Sequence, residues 1–175
     1  MRSPNVARSI RLDWEHLFDM IAATVKLARR DWLMLFASFE GAPDGLDPIR
    51  VQKGLFLFAM RGAVDESEQY TFKPYDYGPM SASIYTDLDA LAEERLLERL
   101  PVPGKNWSRY RPTEAGLQRG IELLELAINS GRLAAAQQLH QIKQEVSSVG
   151  FNDLLERVYS EYPEYASNSV FRRRA

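Results

Sequence analysis

Apolar residues recur at intervals of three and four along most of this chain, a pattern that predicts amphipathic helices. The first stripe consists of Leu17, Ile21, Thr24 and Ala28. It follows Asp13, a good N-cap residue, and a second helical run begins at Asp31 and ends at the turn residues of segment 41–45. We interpret 12–45 as N-terminal helices and 1–11, which has no apolar period, as a flexible arm.

The middle of the chain contains the clearest start signal of a helix. Asp47 can accept hydrogen bonds from free N–H groups, and Pro48 loses nothing at the first helical position. This predicts a helix from Pro48 to about Met60. After a long connection, Gly78 and Pro79 open a second predicted helix. The inner face of that helix consists of Ile84, Leu88 and Leu91.

Two β-prone stretches, 96–100 and 108–112, then flank a loop that contains proline and glycine, which predicts a small hairpin. Within the second stretch, the alternation of a strand places Arg109 and Arg111 on one side and Tyr110 on the other. A half-buried strand would therefore present a paired positive face to solvent.

Helical patterns occupy the rest of the chain up to Tyr162. Thr113 is a good N-cap for the first of them. Its apolar stripe, with spacings of 4, 3 and 4, consists of Leu117, Ile121, Leu124 and Ile128. We expect a mainly α protein with a small β-hairpin (α+β): a winged helix-turn-helix core over 46–116, extra N-terminal and C-terminal helices, the latter over 117–166, and a basic tail over 167–175.

Four motifs within the core, in order along the chain, support this prediction. They are R-x-Q-K-x-L-F-L-F from Arg50, Y-D-Y-G-P-M-S from Tyr75, I-Y-x-D-L-D-x-L from Ile84 and Y-R-P-T-E-A-G from Tyr110. The last is similar to the end of the wing in MarR- and PadR-type transcriptional regulators, and the earlier ones resemble antitoxin-type proteins related to SocA and the Panacea domain. The resemblance implies a winged helix of bacterial or phage type.

Composition narrows the function classes. The 175 residues are 45% hydrophobic, and none is cysteine, which excludes disulfide scaffolds, iron–sulfur clusters and cysteine nucleophiles. His16 and His140 are the two histidines, and neither has a second histidine at the spacing of a metal site. The sequence also contains no glycine-rich phosphate loop. We therefore expect no enzyme activity, no metal and no cofactor. No apolar run is long enough to span a bilayer and no secretory signal is evident, so we expect a cytoplasmic protein with no membrane contact.

The formal net charge of -2 requires any nucleic-acid site to be local. The basic loop and strand of the hairpin, beside the start of the preceding helix, form the best candidate, with Arg50 and Lys53 as further backbone contacts. The expected DNA-binding residues are Ser81, Ser83, Tyr85, Thr86, Lys105, Asn106, Trp107, Arg109, Arg111, Arg50 and Lys53. This predicts a regulator, a repressor by occupancy, that binds double-stranded DNA.

We expect this regulator to act as a homodimer that reads two half-sites. An aromatic cluster on an apolar helical stripe near the C-terminus is the candidate for dimerisation. The residues concerned are Leu155, Val158, Tyr159 and Tyr162. Packing of these residues against the N-terminal helices is the other interpretation of the same stripe.

The sequence leaves two alternatives to duplex DNA binding open. Segment 65–98 holds nine acidic residues against two basic ones, which is typical of an adaptor or antitoxin whose acidic face binds a basic partner protein. Trp107 and the tyrosines could instead stack on the bases of single-stranded nucleic acid.

Overall fold

The computed structural model describes residues 26–62 and 64–170. These residues form six α-helices and two antiparallel two-stranded hairpins, which confirms the predicted mainly α fold. In chain order the elements are α1 (Arg29–Ser38), α2 (Pro48–Met60), β1 (Lys73–Tyr75), β2 (Gly78–Met80), α3 (Ala82–Glu93), β3 (Leu97–Pro101), β4 (Ser108–Pro112), α4 (Glu114–Asn129), α5 (Leu133–Ser148) and α6 (Phe151–Glu161). The predicted arm, residues 13–25 of the helix predicted from Asp13, and the basic tail at Arg172–Arg174 lie outside the described residues. Ala28, the last residue of that predicted stripe, is the extended N-cap of α1, so the prediction that the stripe continues to it is wrong.

Helix α1 lies in the core and is buried continuously from Trp32 to Ala37. It crosses α2 closely, because Gly54 has no side chain: a Cβ there would lie 2.4 Å from Cζ of Phe36. Helix α2 starts where the sequence predicts, with Oδ1 of Asp47 accepting a hydrogen bond from the backbone N–H of Arg50 at 2.9 Å. The small residue at 54 thus sets the distance between the two central helices.

The connection between α2 and α3 contains a hairpin that the sequence did not predict. Gly78 lies opposite Tyr75 in this β1–β2 pair, and α3 begins only at Ala82, so the prediction that Gly78 and Pro79 open that helix is wrong. Gly78 has a φ of 82°, and a Cβ on it would lie 2.9 Å from a ring carbon of Tyr159. The left-handed backbone at Gly78 turns the chain into the strand instead of the helix.

The β3–β4 hairpin lies within one residue of its predicted bounds, with Leu97 opposite Pro112 and Pro101 opposite Ser108. The chain then turns directly into α4. Oγ1 of Thr113 accepts the N–H of Gly116 at 3.1 Å, and a Cβ at Gly116 would lie 2.0 Å from the carbonyl oxygen of Leu96. The T-x-x-G part of the fourth motif therefore caps α4 and lets it lie directly against the start of β3.

Helix α4 buries a face made mainly of small residues together with Leu123, and it leaves three large apolar residues exposed. Its buried positions are Gly116, Gly120, Leu123 and Ala127. Leu117, Ile121 and Ile128 of the stripe that predicts this helix are 46%, 53% and 46% exposed. At Gly120 a Cβ would lie 2.4 Å from the side chain of Ser38, so α1 occupies the face that glycine leaves open.

Within residues 26–62 and 64–170, no helix combines the length and apolar character that crossing a bilayer requires.

Candidate nucleic-acid interface

The β3–β4 hairpin is attached to the body of the protein by Tyr110. This residue is 8% exposed, and its backbone exchanges two 2.9 Å hydrogen bonds with Leu46. Its hydroxyl donates to Oδ1 of Asp89 in α3 at 3.0 Å. Burial and the Asp89 carboxylate raise the pKa of Tyr110, so the hydroxyl remains a donor. The opposite orientation of Tyr110 and its two arginine neighbours, predicted from strand alternation, is confirmed.

The cations of this hairpin differ in their partners. Nε of Arg111 lies 2.6 Å from Oε1 of Glu98, directly across the strand pair, and Arg99 lies 2.6 Å from Asp89. Lys105 and Arg109 have no ion-pair partner among the described residues. These two side chains therefore carry the unneutralised charge of the hairpin.

The loop of the hairpin presents Lys105, Asn106 and Trp107 to solvent. Gly104, with a φ of 72°, forms the turn just before them, and Trp107 is 37% exposed. About a third of this large side chain is therefore still open to a partner, and an exposed apolar surface of this kind on a loop is typical of a contact site.

A cavity of about 790 Å³ lies between this loop, the start of α2 and the start of α6. Its lining includes Ile49, Tyr77, Tyr85, Lys105, Asn106, Trp107 and Phe151. The rings of Tyr77 and Phe151 meet at 6.0 Å between centroids. Sequence reasoning selected the loop residues and Tyr85 but missed Ile49, Tyr77 and Phe151. Only the Y-D-Y-G-P-M-S motif pointed to Tyr77, since these residues come from distant segments that meet in the fold.

The start of α3 exposes fewer of the predicted DNA-binding residues than the sequence led us to expect. Ser81 is 5% exposed, and its backbone N–H and C=O each form a 2.9 Å hydrogen bond with the side-chain amide of Gln52. The expectation that Ser81 faces DNA is therefore wrong, because the amide of Gln52 holds it inside. Tyr85 and Thr86 are exposed and Ser83 is half-buried, so these three remain available on the outer side of the helix.

The sequence predicts Arg50 and Lys53 together on an exposed face of α2. In the structure both side chains bind groups of the same chain. Lys53 is 2% exposed, its Nζ donates to the carbonyl oxygen of Pro79 at 2.9 Å, and burial lowers its pKa to about 7. Arg50 pairs with Asp47 at 3.2 Å and donates to the carbonyls of Val146 and Val149 at the end of α5. Both side chains join elements of the core, which corrects the predicted phosphate contacts.

The residues expected to form a dimer interface also lie inside one chain. Leu155, Val158 and Tyr159 are at most 1% exposed. Tyr162 is half-buried, with its ring 5.1 Å from that of Phe56 in α2. The prediction that these four residues form a dimer surface is wrong, because this stripe packs against α2 and the β1–β2 hairpin of the same chain.

The acidic stretch 65–98 is largely neutralised within the chain. Its ion pairs are Asp65 with Lys26 and Arg132, Glu68 with Arg132, Asp87 with Arg29, Asp89 with Arg99, Glu94 with Arg30, and Glu98 with Arg111. The hydroxyl of Tyr70 also donates to Asp87 at 2.8 Å. Acidic groups that look like a surface in the sequence therefore connect α3 to α1 and to the β3–β4 hairpin, and connect residues 65–68 to Arg132 just before α5.

Groups of three or more potential metal ligands are absent from the described part of the chain. His140 packs its ring against Phe39 at 5.0 Å, and His16 lies outside the described residues.

Comparisons of the chain with protein-family models, with curated proteins and with solved structures found no match.

Proposed function

We propose that this protein binds double-stranded DNA through the β3–β4 hairpin, acting as a wing, and the first turns of α3, and that it regulates transcription by occupying a promoter. The observation that carries the proposal is the position of Lys105 and Arg109. Both lack an acidic partner among the described residues, in a hairpin whose other arginines are paired.

Fewer cations are available for phosphate contacts in the structure than the sequence predicts. Lys105 and Arg109 can pair with phosphate oxygens without breaking an existing ion pair. Arg111 must first leave Glu98, and Lys53 is enclosed in the core. Two phosphate contacts per chain correspond to a log–log salt slope of about -1.8.

Tyr85, Thr86 and Trp107 supply groups for contacts other than charge. Tyr85 and Trp107 line the same cavity, so the helix and the wing present one continuous surface. Hydroxyl groups of Tyr85 and Thr86 can donate to phosphates or base edges, and the indole of Trp107 can cover an apolar part of the groove.

A fluorescence anisotropy titration of the upstream DNA of its own gene, against a shuffled sequence, tests the proposal over a series of salt concentrations. Tighter binding to the upstream DNA with a slope near the value above is expected. The double variant Lys105→Ala/Arg109→Ala should lose most of the affinity. Binding that is independent of salt, or unchanged in this variant, would overturn the proposal.

Arg95 provides a matched control. It is exposed, has no ion-pair partner among the described residues, and lies just beyond the end of α3 that is distant from Tyr85. Its φ of 60° suits asparagine, so Arg95→Asn removes a cation without straining the backbone. This variant should bind DNA as the original chain does.

A partner protein is a second candidate, favoured by the apolar lining of the cavity. Ile49, Trp107 and Phe151 could enclose an apolar side chain, which is typical of protein contacts. The acidic stretch 65–98 is a less suitable surface for a basic partner protein, because Asp87 already pairs with Arg29 and accepts a hydrogen bond from Tyr70.

Purification of tagged protein from its native host separates the two candidates. A stoichiometric partner that is lost with Trp107→Ala and retained with Lys105→Ala/Arg109→Ala supports protein binding. Anisotropy with single-stranded oligonucleotides in parallel tests the stacking alternative, for which single strands should bind more tightly than duplex.

A further inference from the structure

Three of the four residues of the apolar stripe on α4 are exposed, whereas Leu124 is partly buried against the core. Leu117, Ile121 and Ile128 are each about half exposed, and Leu133, at the start of α5, is 45% exposed. Their helix is long and well capped, and its opposite face is packed on α1. Large apolar side chains aligned in this way mark a surface that another element covers.

The spacing of this stripe is that of a two-helix seam. Leu117, Ile121, Leu124 and Ile128 follow intervals of 4, 3 and 4, with leucine and isoleucine alternating. Isoleucine and leucine in alternate seam positions favour pairing of two parallel helices.

The same chain contains a matching stripe. Leu17, Ile21 and Thr24 follow the first two of these intervals, 4 and 3, and Leu17 and Ile21 have the same residue types in the same order as Leu117 and Ile121. Ala28 stands at the next interval but is the extended N-cap of α1, so it lies outside this helix. Residues 13–25 lie outside the described part of the chain, and their sequence predicts an amphipathic helix.

The point at which this segment joins the fold lies near one end of the stripe. Nζ of Lys26 and the guanidinium of Arg132 lie 2.9 and 3.3 Å from the same oxygen of Asp65. Arg132 immediately precedes Leu133 and follows the end of α4. A segment that leads into Lys26 can therefore reach the Ile128 end of the stripe without a long connection.

Length and charge agree with a parallel arrangement. Thirteen residues of helix from 13 to 25 extend about 20 Å, and the stripe from Leu117 to Ile128 about 16 Å, at 1.5 Å per residue. With the end of the segment at Ile128, its start lies near Glu114. Arg11 precedes the segment, and Glu114 has no ion-pair partner among the described residues, so the two charges would be complementary.

We propose that residues 13–25 pack in parallel on α4 and cover its exposed residues Leu117, Ile121 and Ile128. A second copy of the chain is a less suitable occupant. Stable interfaces between separate chains bury about 800 Å² on each side, and a few half-exposed side chains supply only part of that. A segment of the same chain needs less area, because its connection keeps it at a high effective concentration.

Disulfide trapping tests the proposal directly, because the natural chain has no cysteine. In the variant Ile21→Cys/Ile121→Cys the two thiols belong to one layer of the proposed seam. In the control Asp19→Cys/Ile121→Cys, one thiol lies on the opposite face of the predicted helix. A third variant carries Ile121→Cys alone. All three are examined as full-length chains, after circular dichroism has shown equal helical content.

After mild oxidation, non-reducing electrophoresis and peptide mass spectrometry should show a disulfide within one chain for Ile21→Cys/Ile121→Cys, in several-fold higher yield than for the control. Leu17→Cys/Leu117→Cys should give the same result one layer away. Equal yields in the control, or no disulfide in either layer, would overturn the proposal. Disulfides between two chains of Ile121→Cys alone would overturn it in favour of a second copy. The result is independent of DNA binding by the hairpin.

Discussion

Glu98 and Arg111 face each other across the β3–β4 hairpin, with Oε1 and Nε 2.6 Å apart. Both side chains are more than 40% exposed. An ion pair in this position adds about 0–1 kcal/mol of stability, yet it decides whether the arginine can reach a phosphate.

Release of Arg111 should strengthen DNA binding. In Glu98→Gln the arginine loses its fixed partner, and a third phosphate contact steepens the log–log salt slope from about -1.8 to about -2.7. Anisotropy titrations at several salt concentrations measure this change. Glu94→Gln, which frees Arg30 on α1, is the control and should leave the slope unchanged. A Glu98→Gln slope equal to that of the original chain would contradict this assignment of Arg111.

Trp107 should contribute to binding and, to a smaller degree than a core residue, to folding. It is 37% exposed, so we expect Trp107→Ala to lower the free energy of unfolding by about 1–2 kcal/mol, less than the about 3–5 kcal/mol of a fully buried tryptophan. Affinity for DNA should fall, because the indole lies on the cavity shared with Tyr85. Urea denaturation and anisotropy give the two quantities. Tyr75→Ala, exposed outside that cavity lining, should retain affinity; equal losses in both variants would count against the cavity as the site.

Gly116, the glycine of the fourth motif, should not tolerate a side chain. Alanine favours helices over glycine by about 1 kcal/mol, but its Cβ would lie 2.0 Å from a backbone oxygen of Leu96 that also accepts the N–H of Thr113. We expect Gly116→Ala to lower the free energy of unfolding by about 1–3 kcal/mol. Urea denaturation measures it, with the exposed position Gln118→Ala as control. A stabilised Gly116→Ala variant would show that α4 can shift away from β3.

Stability should increase from neutral to alkaline pH because of Lys53. Burial lowers its pKa to about 7, whereas an unfolded lysine titrates near 10.4. Between these values the unfolded chain binds more protons, so the free energy of unfolding rises with pH, by at most about 1.4 kcal/mol per unit for one lysine. Below pH 7 both states are protonated and the contribution is constant.

Lys53→Met should make this pH dependence shallower in urea denaturation at pH 7, 8 and 9. Lys143, whose pKa burial also lowers to about 7, retains its own contribution in that variant. The Nζ of Lys143 donates to the carbonyls of Phe36, Ala37 and Phe39, so it holds the end of α1. An unchanged pH dependence in Lys53→Met would show that Lys53 keeps its ordinary titration.

Local signals in the sequence predicted what depends on neighbouring residues. Asp47 and Pro48 specify the start of α2 through one cap and one missing N–H group, and Thr113 specifies the start of α4 through its cap alone. Alternation in β4 predicted that Tyr110 turns inward. The hairpin at β1 and β2 was missed, because Gly78 and Pro79 are equally typical of a turn and of a helix start.

The sequence predicted which residues the hairpin contributes to the candidate site, but not which charged residues have partners within the chain. Arg109 and Trp107 belong to one recognisable hairpin, so their presence at the surface follows from its pattern. Partners of the other charges come from distant segments: Pro79 for Lys53, and the end of α5 for Arg50. No spacing within α2 contains that information.

The sequence by itself determined the helices, the basic hairpin and the two faces of each element, because caps and periodicity act over a few residues. Only the tertiary structure decided which face is buried. In α4 the side that holds Gly116 and Gly120 packs inward, and Leu117, Ile121 and Ile128 stay exposed, since close approach of two helices depends on small residues at their contact. The same packing decided which charges remain free, because the groups that neutralise them come from elements far apart in the chain.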